Sequence, residues 1–486
     1  MNQLFKHIQA TRQLLWFEWR WLTRTAMLPA LAAIFMVIGV YAVICSKGAL
    51  QQRISAIDSL RQGHYQAYTK MYAQLTADTV TTKAKTDYTL AVDPAIVEYR
   101  LYSTAYHPPA VFSLFSTGMS DNIRNYYPVR INAGYLATEE KVANPLLLMT
   151  GNFDLAFILI YLIPLAAIGL CYNLLSQEQE QGTLPLMMIQ RGDITSAMLI
   201  RLFVRHGLLL SLIVLVTLAG LFLAPAGIGW TWKELAAWIF ICIAYTAFWM
   251  GLIWFIISWK QSSAGNLITL IGMWLLLLIV IPAVLRFTGN DYTNIDTAAV
   301  NASRQREIAW ETWDLPQQQL LDSFYLRYPQ YQNARAYDTS ERSLRRVMAY
   351  YHLTDVRMGR ELEPQEKAYR QQVRHVAATY LANPVVYTQT LLNKIARTDM
   401  TDYDYFHRRM TDFRRRWKTY FYDFNFNDRN FDTAAYATIP AYSPAFDPTA
   451  TVMVRNGIAY LLLLSFCGLT AGIIVFRKKE YNIYDA

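Results

Sequence analysis

Charge and cysteine are both scarce in this chain. Of its 486 residues only 17% are Asp, Glu, Lys or Arg, while 54% are hydrophobic. The apolar residues gather in long blocks with ordinary polar stretches between them, as in a membrane protein with sizeable soluble parts. The four cysteines, Cys45, Cys171, Cys242 and Cys467, fall in or beside the apolar blocks. None can staple an exposed domain, and there is no Cys-x-x-Cys pair to hold a metal. No Gly-x-x-x-x-Gly-Lys-Ser/Thr phosphate loop occurs, so this chain has no nucleotide-hydrolysing motif of its own. His-Glu-x-x-His and Gly-x-Ser-x-Gly are absent too, which leaves no recognised catalytic set. His64, His107, His352, His375 and His407 are isolated in sequence and read as packing or surface residues. A formal charge of +9 would suit a nucleic-acid partner in a soluble protein. Here the basic residues are spread along the chain and flank the apolar blocks, so no nucleic acid is expected.

Six blocks are long enough to cross a bilayer as helices: 27–45, 153–175, 203–223, 235–257, 264–285 and 457–476. Ahead of the first, residues 1–26 carry Leu4, Ile8, Leu15, Trp19 and Leu22 at helical spacing, with Lys6, Arg12, Arg20 and Arg24 around them. That pattern predicts an interfacial elbow helix, the alternative being a plain extension of the first span. No small-x-small cleavage site follows, so the first span is expected to remain as an anchor. Lys260 lies in one short connection, Lys233 is balanced by Glu234 in another, and Arg477-Lys478-Lys479 ends the last block. The positive-inside rule then places both termini, residues 477–486 and the loop 176–202 in the cytoplasm. Residues 46–152 and 286–456 fall on the other side.

The outer residues predict more helix. Ile54, Ile57, Tyr65, Tyr68, Tyr72 and Leu75 extend the first span as a stalk. Beyond residue 76, prolines and small polar residues suggest irregular structure. Good helix formers occupy 300–326, 340–381 and 402–422, and strand-like alternation is scarce. The fold class read from this is an all-α integral membrane protein with six transmembrane helices and a mostly helical extracytoplasmic domain. The run Arg408-Arg409 and Arg414-Arg415-Arg416-Trp417-Lys418 alternates with Asp402, Asp404 and Asp412, as an ion-paired solvated helix face would; an anionic surface is the alternative. Asn173, Tyr245, Asn266 and Thr269 either bond between helices or line a path. Gly468 and Gly472 allow a close helix neighbour, in this chain or in a second copy. The middles of the spans carry no ionisable residue, with Asp154, Arg201, Arg205 and Arg286 at their ends, which argues against ion-driven transport.

The loop Ser176–Arg191, SQEQEQGTLPLMMIQR, is built as a contact surface. Glu178 and Glu180 precede Gly182, which can take a left-handed backbone, and Thr183, which can cap a following helix. Pro185 falls in that helix's first turn, where its missing N–H costs little. Leu186, Met187, Met188 and Ile189 give it an apolar side, and Arg191-Gly192-Asp193 makes a turn.

The pattern Glu-x-Glu-x-Gly-Thr-Leu, the apolar run and the Arg-containing turn resemble the loop after the second transmembrane helix of ABC-2 type permeases. The stretch Asn144-Pro145-Leu146, Gly151, Phe153-Asp154-Leu155-Ala156-Phe157 and Pro164 resembles the bacterial branch with long insertions after the first and fifth spans, whose members are often known only for a domain of unknown function. The resemblance implies a permease subunit in the bacterial inner membrane, driven by two separate ABC ATPase subunits that bind ATP and Mg. This chain itself would hold no cofactor or metal and be no enzyme. Residue by residue, Glu178 and Glu180 match the acidic approach, Gly182 and Thr183 the helix start, Leu184, Met187 and Met188 the apolar face, and Arg191 the turn. Pro185 stands earlier than the family's proline. A second permease, identical or related, membrane lipids and a periplasmic protein are the further partners implied. Export is the expected function. Mechanical transmission to a periplasmic partner, with nothing crossing the bilayer, is the rival reading, and a membrane-anchored enzyme or sensor is a third.

Overall fold

A computed structural model describes residues 13, 15–20, 23–24, 27–132, 153–191, 194–288, 297–332 and 343–484. Asn144, Pro145, Leu146, Gly151, Gly192 and Asp193, named above, lie outside these residues, as do the side chains of Met188, Arg191, Arg286 and His375.

About four fifths of the described residues are helical and very few are in strands. The first helix, α1 (Met27–Thr76), runs unbroken for 50 residues, about 75 Å at about 1.5 Å per residue. The stalk expected from the spacing of Ile54 to Leu75 is therefore present. It is held by Arg53 against Asp121 at 3.2 Å and by Tyr68 and Tyr72, whose rings lie 5.9 and 6.0 Å from that of Tyr436.

The segment beyond is more regular than its composition suggested. It forms α2 (Thr82–Val92), α3 (Pro94–Arg100) and an antiparallel pair of strands, β1 (Ser103–Tyr106) and β2 (Tyr126–Val129). Asp93-Pro94 starts α3 because the carboxylate accepts the Ala95 N–H at 2.8 Å and proline suits the first helical position. Between the strands, His107-Pro108-Pro109-Ala110 leads into a 3-10 turn, Val111–Leu114. Phe112, Leu114 and Phe115 are fully buried among the apolar helices, the two phenylalanine rings 5.7 and 5.3 Å from that of Trp238. The turn is a wedge driven into one end of the helix bundle.

The second apolar helix, α4 (Leu155–Glu180), starts at Asp154, whose carboxylate accepts the N–H groups of Phe157 and Thr117, each at 2.8 Å. One side chain thus caps α4 and ties the wedge to it. Residues Ile158–Leu162 form a π turn just ahead of Pro164. Proline offers no N–H to the Ile160 carbonyl, and the buried Tyr245 hydroxyl donates to that oxygen at 2.9 Å instead. Next come α5 (Leu184–Arg191), α6 (Ile194–Phe222) and α7 (Trp232–Ile257), the last opened by a Thr231–Glu234 capping box. The helix α8 (Ser263–Leu275, Leu276–Val280 and Ile281–Thr288) repeats the π turn before Pro282, and Asn383 Nδ2 donates to the Leu277 carbonyl at 2.7 Å.

A second block follows: α9 (Thr297–Trp313), α10 (Gln317–Arg327), α11 (Leu344–Tyr380), α12 (Pro384–Ala396), α13 (Met400–Phe426) and α14 (Thr433–Thr438). The chain ends in α15 (Ala450–Tyr484). The helix α12 was not expected. At 13 residues it is too short to cross a bilayer, yet Val385, Leu391, Leu392 and Ile395 are buried with the apolar helices. Among the described residues six helices are long and apolar enough to cross a membrane: Leu28–Thr76, Leu155–Glu180, Ile194–Phe222, Trp232–Ile257, Ser263–Val284 and Ala450–Lys478.

Two cores result. One joins the apolar helices, the wedge and α12. The other is aromatic and joins the second block to the stalk, α3 and the two strands through Met71, Val97 and Tyr127; in it Phe324 stacks on Phe426 with centroids 4.4 Å apart and Phe413, Trp417, Phe421 and Tyr422 are fully buried. Helices α7 and α15 pack most closely. A Cβ on Gly468 would lie 2.9 Å from the Gly251 backbone, and Gly472 faces the Trp254 ring. The close neighbour of these glycines is therefore in the same chain.

The basic run of α13 departs from the solvated face expected of it. Arg408–Asp404 and Arg415–Asp412 are exposed pairs within the helix. Arg414 and Lys418 instead reach across to Asp355 of α11, and Lys418 is buried. Burial pushes its ammonium down to about 8, against the pull of Asp355. Helical periodicity put these two cations on the packed side of α13, where only an acid from another helix can balance them.

Candidate functional site

The loop Ser176–Arg191 folds as two short helices with a sharp break between them. The end of α4 closes in a Schellman turn: the Gly182 N–H bonds the Gln179 carbonyl at 3.1 Å and the Thr183 N–H bonds the Glu178 carbonyl at 3.0 Å. Gly182 sits at φ +68°, a conformation that glycine takes without the Cβ clash other residues meet. Thr183 then leads into α5, with the Met187 N–H on its carbonyl at 3.1 Å. Its hydroxyl turns back and donates to the Glu178 carboxylate.

The two acidic residues are held inside the chain. Glu178 accepts Arg201 Nη1 at 2.9 Å, so it joins the loop to α6. Glu180 accepts the Ser263 N–H at 2.8 Å and the Ser263 hydroxyl at 2.9 Å, so it caps the first turn of α8. A carboxylate is favoured there by the unpaired N–H groups and the helix dipole. Ser176 adds a hydroxyl contact to Ser263 at 2.8 Å. Each therefore already has donors within the chain, and Glu180 stays exposed.

Behind the loop lies a buried ionic group that no sequence pattern announced. Arg205 Nη2 meets Glu18 Oε1 at 2.9 Å, and Arg201 Nε lies 3.4 Å from the other Glu18 oxygen. Glu18 is 2% exposed and Arg205 5%, so neither is solvated by bulk water. Arg205 Nη1 also donates to the Leu170 carbonyl. That carbonyl is released because α4 loosens at 172–175, where the Leu174 N–H bonds Cys171 at 3.1 Å instead. Asn266 takes the next loosened carbonyl, Tyr172, at 3.3 Å. The C-terminal end of α4 is thus pinned by side chains from α6 and α8.

The third apolar helix begins at Ile194 rather than at 203, so Arg201 and Arg205 lie well inside it. They are tolerated because Glu18 and Glu178 neutralise them. The neighbouring His206 bonds the Thr246 hydroxyl of α7 at 2.8 Å. The described end of the leading segment packs on the bundle through a charge and leaves its large apolar side chains outward. Trp16, Phe17 and Trp19 are more than half exposed, and the inward residue is Glu18.

The surface of α5 is divided between the chain's own core and the outside. Leu184 and Met187 are half-buried against the core of the apolar helices. Being three residues apart, they share one side of the helix, and that side covers the chain's own core. The described residues left outward are Glu180, Gln181, Gly182, Pro185 and Leu186, the last 60% exposed. The polar residues of the spans mostly bond to backbone: Tyr245 and Asn266 to α4, and Thr269 within its own helix, while Asn173 meets the Gln177 side chain.

A second ionic joint lies at the wedge end. The buried Lys394 of α12 meets Asp402 at 3.1 Å and Asp447 at 2.8 Å. Burial and the nearby Asp399 push the Asp402 carboxyl up to about 6 although Lys394 opposes them. Arg397 pairs with Glu234 of α7 at 2.6 Å and lies over the Phe446 ring. The second block is fastened to the apolar helices by charge as well as by packing. No cluster of His, Cys, Asp or Glu suited to a metal is present among the described residues.

A family model described as a domain of unknown function (DUF3526) matches residues 298–445. The matched segment begins in α9 and ends before α15, so it covers the block inserted between the fifth and sixth apolar helices. No curated protein and no solved structure matches the chain.

Proposed function

We propose that this chain is the permease subunit of an ATP-driven ABC-2 type transporter, with its loop Ser176–Arg191 docking on a separate ATPase subunit at the cytoplasmic face. The observation that carries the proposal is the wiring of that loop. Its outer surface, Gln181, Gly182, Pro185 and Leu186, is free of the core, while Glu178 and Glu180 tie the loop to α6 and α8. A push on the exposed tip therefore loads two spanning helices directly, and through Glu18 the segment ahead of α1. Two copies, or this chain with a relative, would work over two ATPases, and export is the favoured direction.

Mechanical transmission is the second reading, and one feature favours it. Helix α1 passes unbroken into the polar block, and the wedge and α12 lock that block to the bundle. Motion in the apolar helices would reach the far end of the stalk with little loss. On this reading an outer partner is worked by the motion and no substrate crosses.

The test is purification from native membranes with a tag on this chain. Expected is an associated ABC ATPase whose hydrolysis responds to Gly182→Val, a change with room for the side chain but strain at φ +68°. An intact, active complex without any ATPase would refute the docking role.

A further inference from the structure

The sheet of β1 and β2 leaves one edge of β1 unpaired among the described residues. The His107 N–H donates to the Asn125 carbonyl at 2.7 Å, continuing the register that pairs Tyr106 with Tyr126. Hydrogen-bonded positions alternate along an antiparallel pair. Ala105 and Ser103 therefore bond to β2, and Thr104 and Tyr106 turn their N–H and C=O groups the other way. Pro128 opposite Thr104 agrees with this, since no N–H is needed at that position.

A groove of about 610 Å³ runs beside this edge, walled by Asp58, Leu60, Arg61 and Tyr65 of the stalk and by Tyr442. Side chains of Ser103 and Thr104 leave opposite faces of the strand, yet both residues line the groove, and no β2 residue does. The groove therefore follows the free edge of β1 and does not lie over a face of the sheet. Its walls are accessible: Tyr65 is 70% exposed.

We propose that this groove takes a short extended peptide from a partner protein, added to β1 as a third strand. The free donors and acceptors of Thr104 and Tyr106 recur every second residue, about 6.8 Å apart, and an extended main chain offers its own at the same interval. Alternate side chains of the peptide meet the tyrosine rings, and an acidic one meets Arg61. The assignment is independent of the coupling-loop reading and of which side of the membrane the sheet occupies.

The test uses the full chain in lipid nanodiscs, open on both faces, panned against random decapeptides displayed on phage. Enriched peptides are resynthesised, titrated and methylated one backbone nitrogen at a time. The expected result is at least a tenfold loss of affinity at two nitrogens two residues apart, those facing Thr104 and Tyr106, and little change at the nitrogen between them. Thr104→Pro removes an edge N–H but no bond between β1 and β2, and should weaken the same peptides at least tenfold. Should that variant fail to fold, the methylation series and Arg61→Ala decide, the latter weakening acidic peptides only. No enriched peptide, losses without the two-residue period, or full binding by a folded Thr104→Pro chain would overturn the proposal. So would oligosaccharides from a glycan array that bind in place of peptides and are lost in Tyr65→Ala.

Discussion

Replacing Arg205 with methionine gives the sharpest test of the buried ionic group behind the loop. Arg205 contributes two contacts to Glu18 and one to the Leu170 carbonyl, and it is 5% exposed. Methionine matches much of its length but leaves Glu18 with Arg201 alone at 3.4 Å. Removing one partner of a buried ion pair costs about 3–5 kcal/mol, because the remaining charge stays unsolvated. The stranded carbonyl adds about 1–3 kcal/mol. Glu18→Gln should cost less than Arg205→Met, since a neutral amide can still accept a hydrogen bond from the arginine. In the double variant the stranded charge is gone and most of the first penalty with it. The coupling energy from the four proteins should therefore be about 2 kcal/mol or more. Unfolding in mixed detergent micelles, followed by tryptophan fluorescence, measures all four. A coupling below about 0.5 kcal/mol, the usual error of additivity, would refute the reasoning. Arg205→Lys sharpens the test further. It keeps the charge but cannot reach both Glu18 and Leu170, so it should recover only part of the loss.

Three further outcomes follow from the packing and titration described above. Gly468→Leu must force α15 off the Gly251 backbone, now 2.9 Å from where a Cβ would sit; the same unfolding assay should show a loss of about 1–3 kcal/mol, larger than for Gly272→Leu, where the space is open. Tyr245→Phe strips the hydroxyl from the Ile160 carbonyl beside Pro164 and should cost about 1–2 kcal/mol, with Tyr460→Phe, whose bond is exposed, costing less. Burial against Phe324 and Tyr328 pushes His352 down to about 4, from an ordinary value near 6.5. The unfolded chain then takes up the proton first, so the stability this histidine contributes is complete above pH 6.5 and is lost as pH falls toward 4. Between pH 7 and pH 4, wild type should lose up to about 3 kcal/mol relative to His352→Phe. The raised carboxyl of Asp402 acts in the opposite sense but is common to both proteins and cancels in the difference.

Local pattern was legible in the sequence wherever a single segment decides the outcome. Long apolar runs gave the spanning helices, the spacing from Ile54 to Leu75 gave the stalk, and Gly182 marked the break in the loop. What escaped was set by partners far along the chain. Glu18 and Arg205 are separated by 187 residues, and Glu180 and Ser263 by 83, and no periodicity links either pair. For the same reason the bonds of Glu178 to Arg201 and of Glu180 to Ser263 were not visible in the sequence. The wedge at Phe112–Phe115 and the helix α12 were missed because each is shorter than a bilayer span, although both are buried in the apolar bundle. The Lys418–Asp355 pair was hidden by closer acids on its own helix. Periodicity reports which face of a helix is packed; it does not report what packs on it.

The central claim is that a motor grips the tip of the loop Ser176–Arg191 from the inside of the membrane. A single cysteine at Leu186, in a chain whose Cys45, Cys171, Cys242 and Cys467 are replaced by alanine, tests this through labelling with a membrane-impermeant maleimide. The expected result is no labelling in intact cells, protection in inverted vesicles that retain the associated ATPase, and rapid labelling once peripheral subunits are stripped. Labelling from the outside of intact cells, or equal labelling before and after stripping, would contradict it.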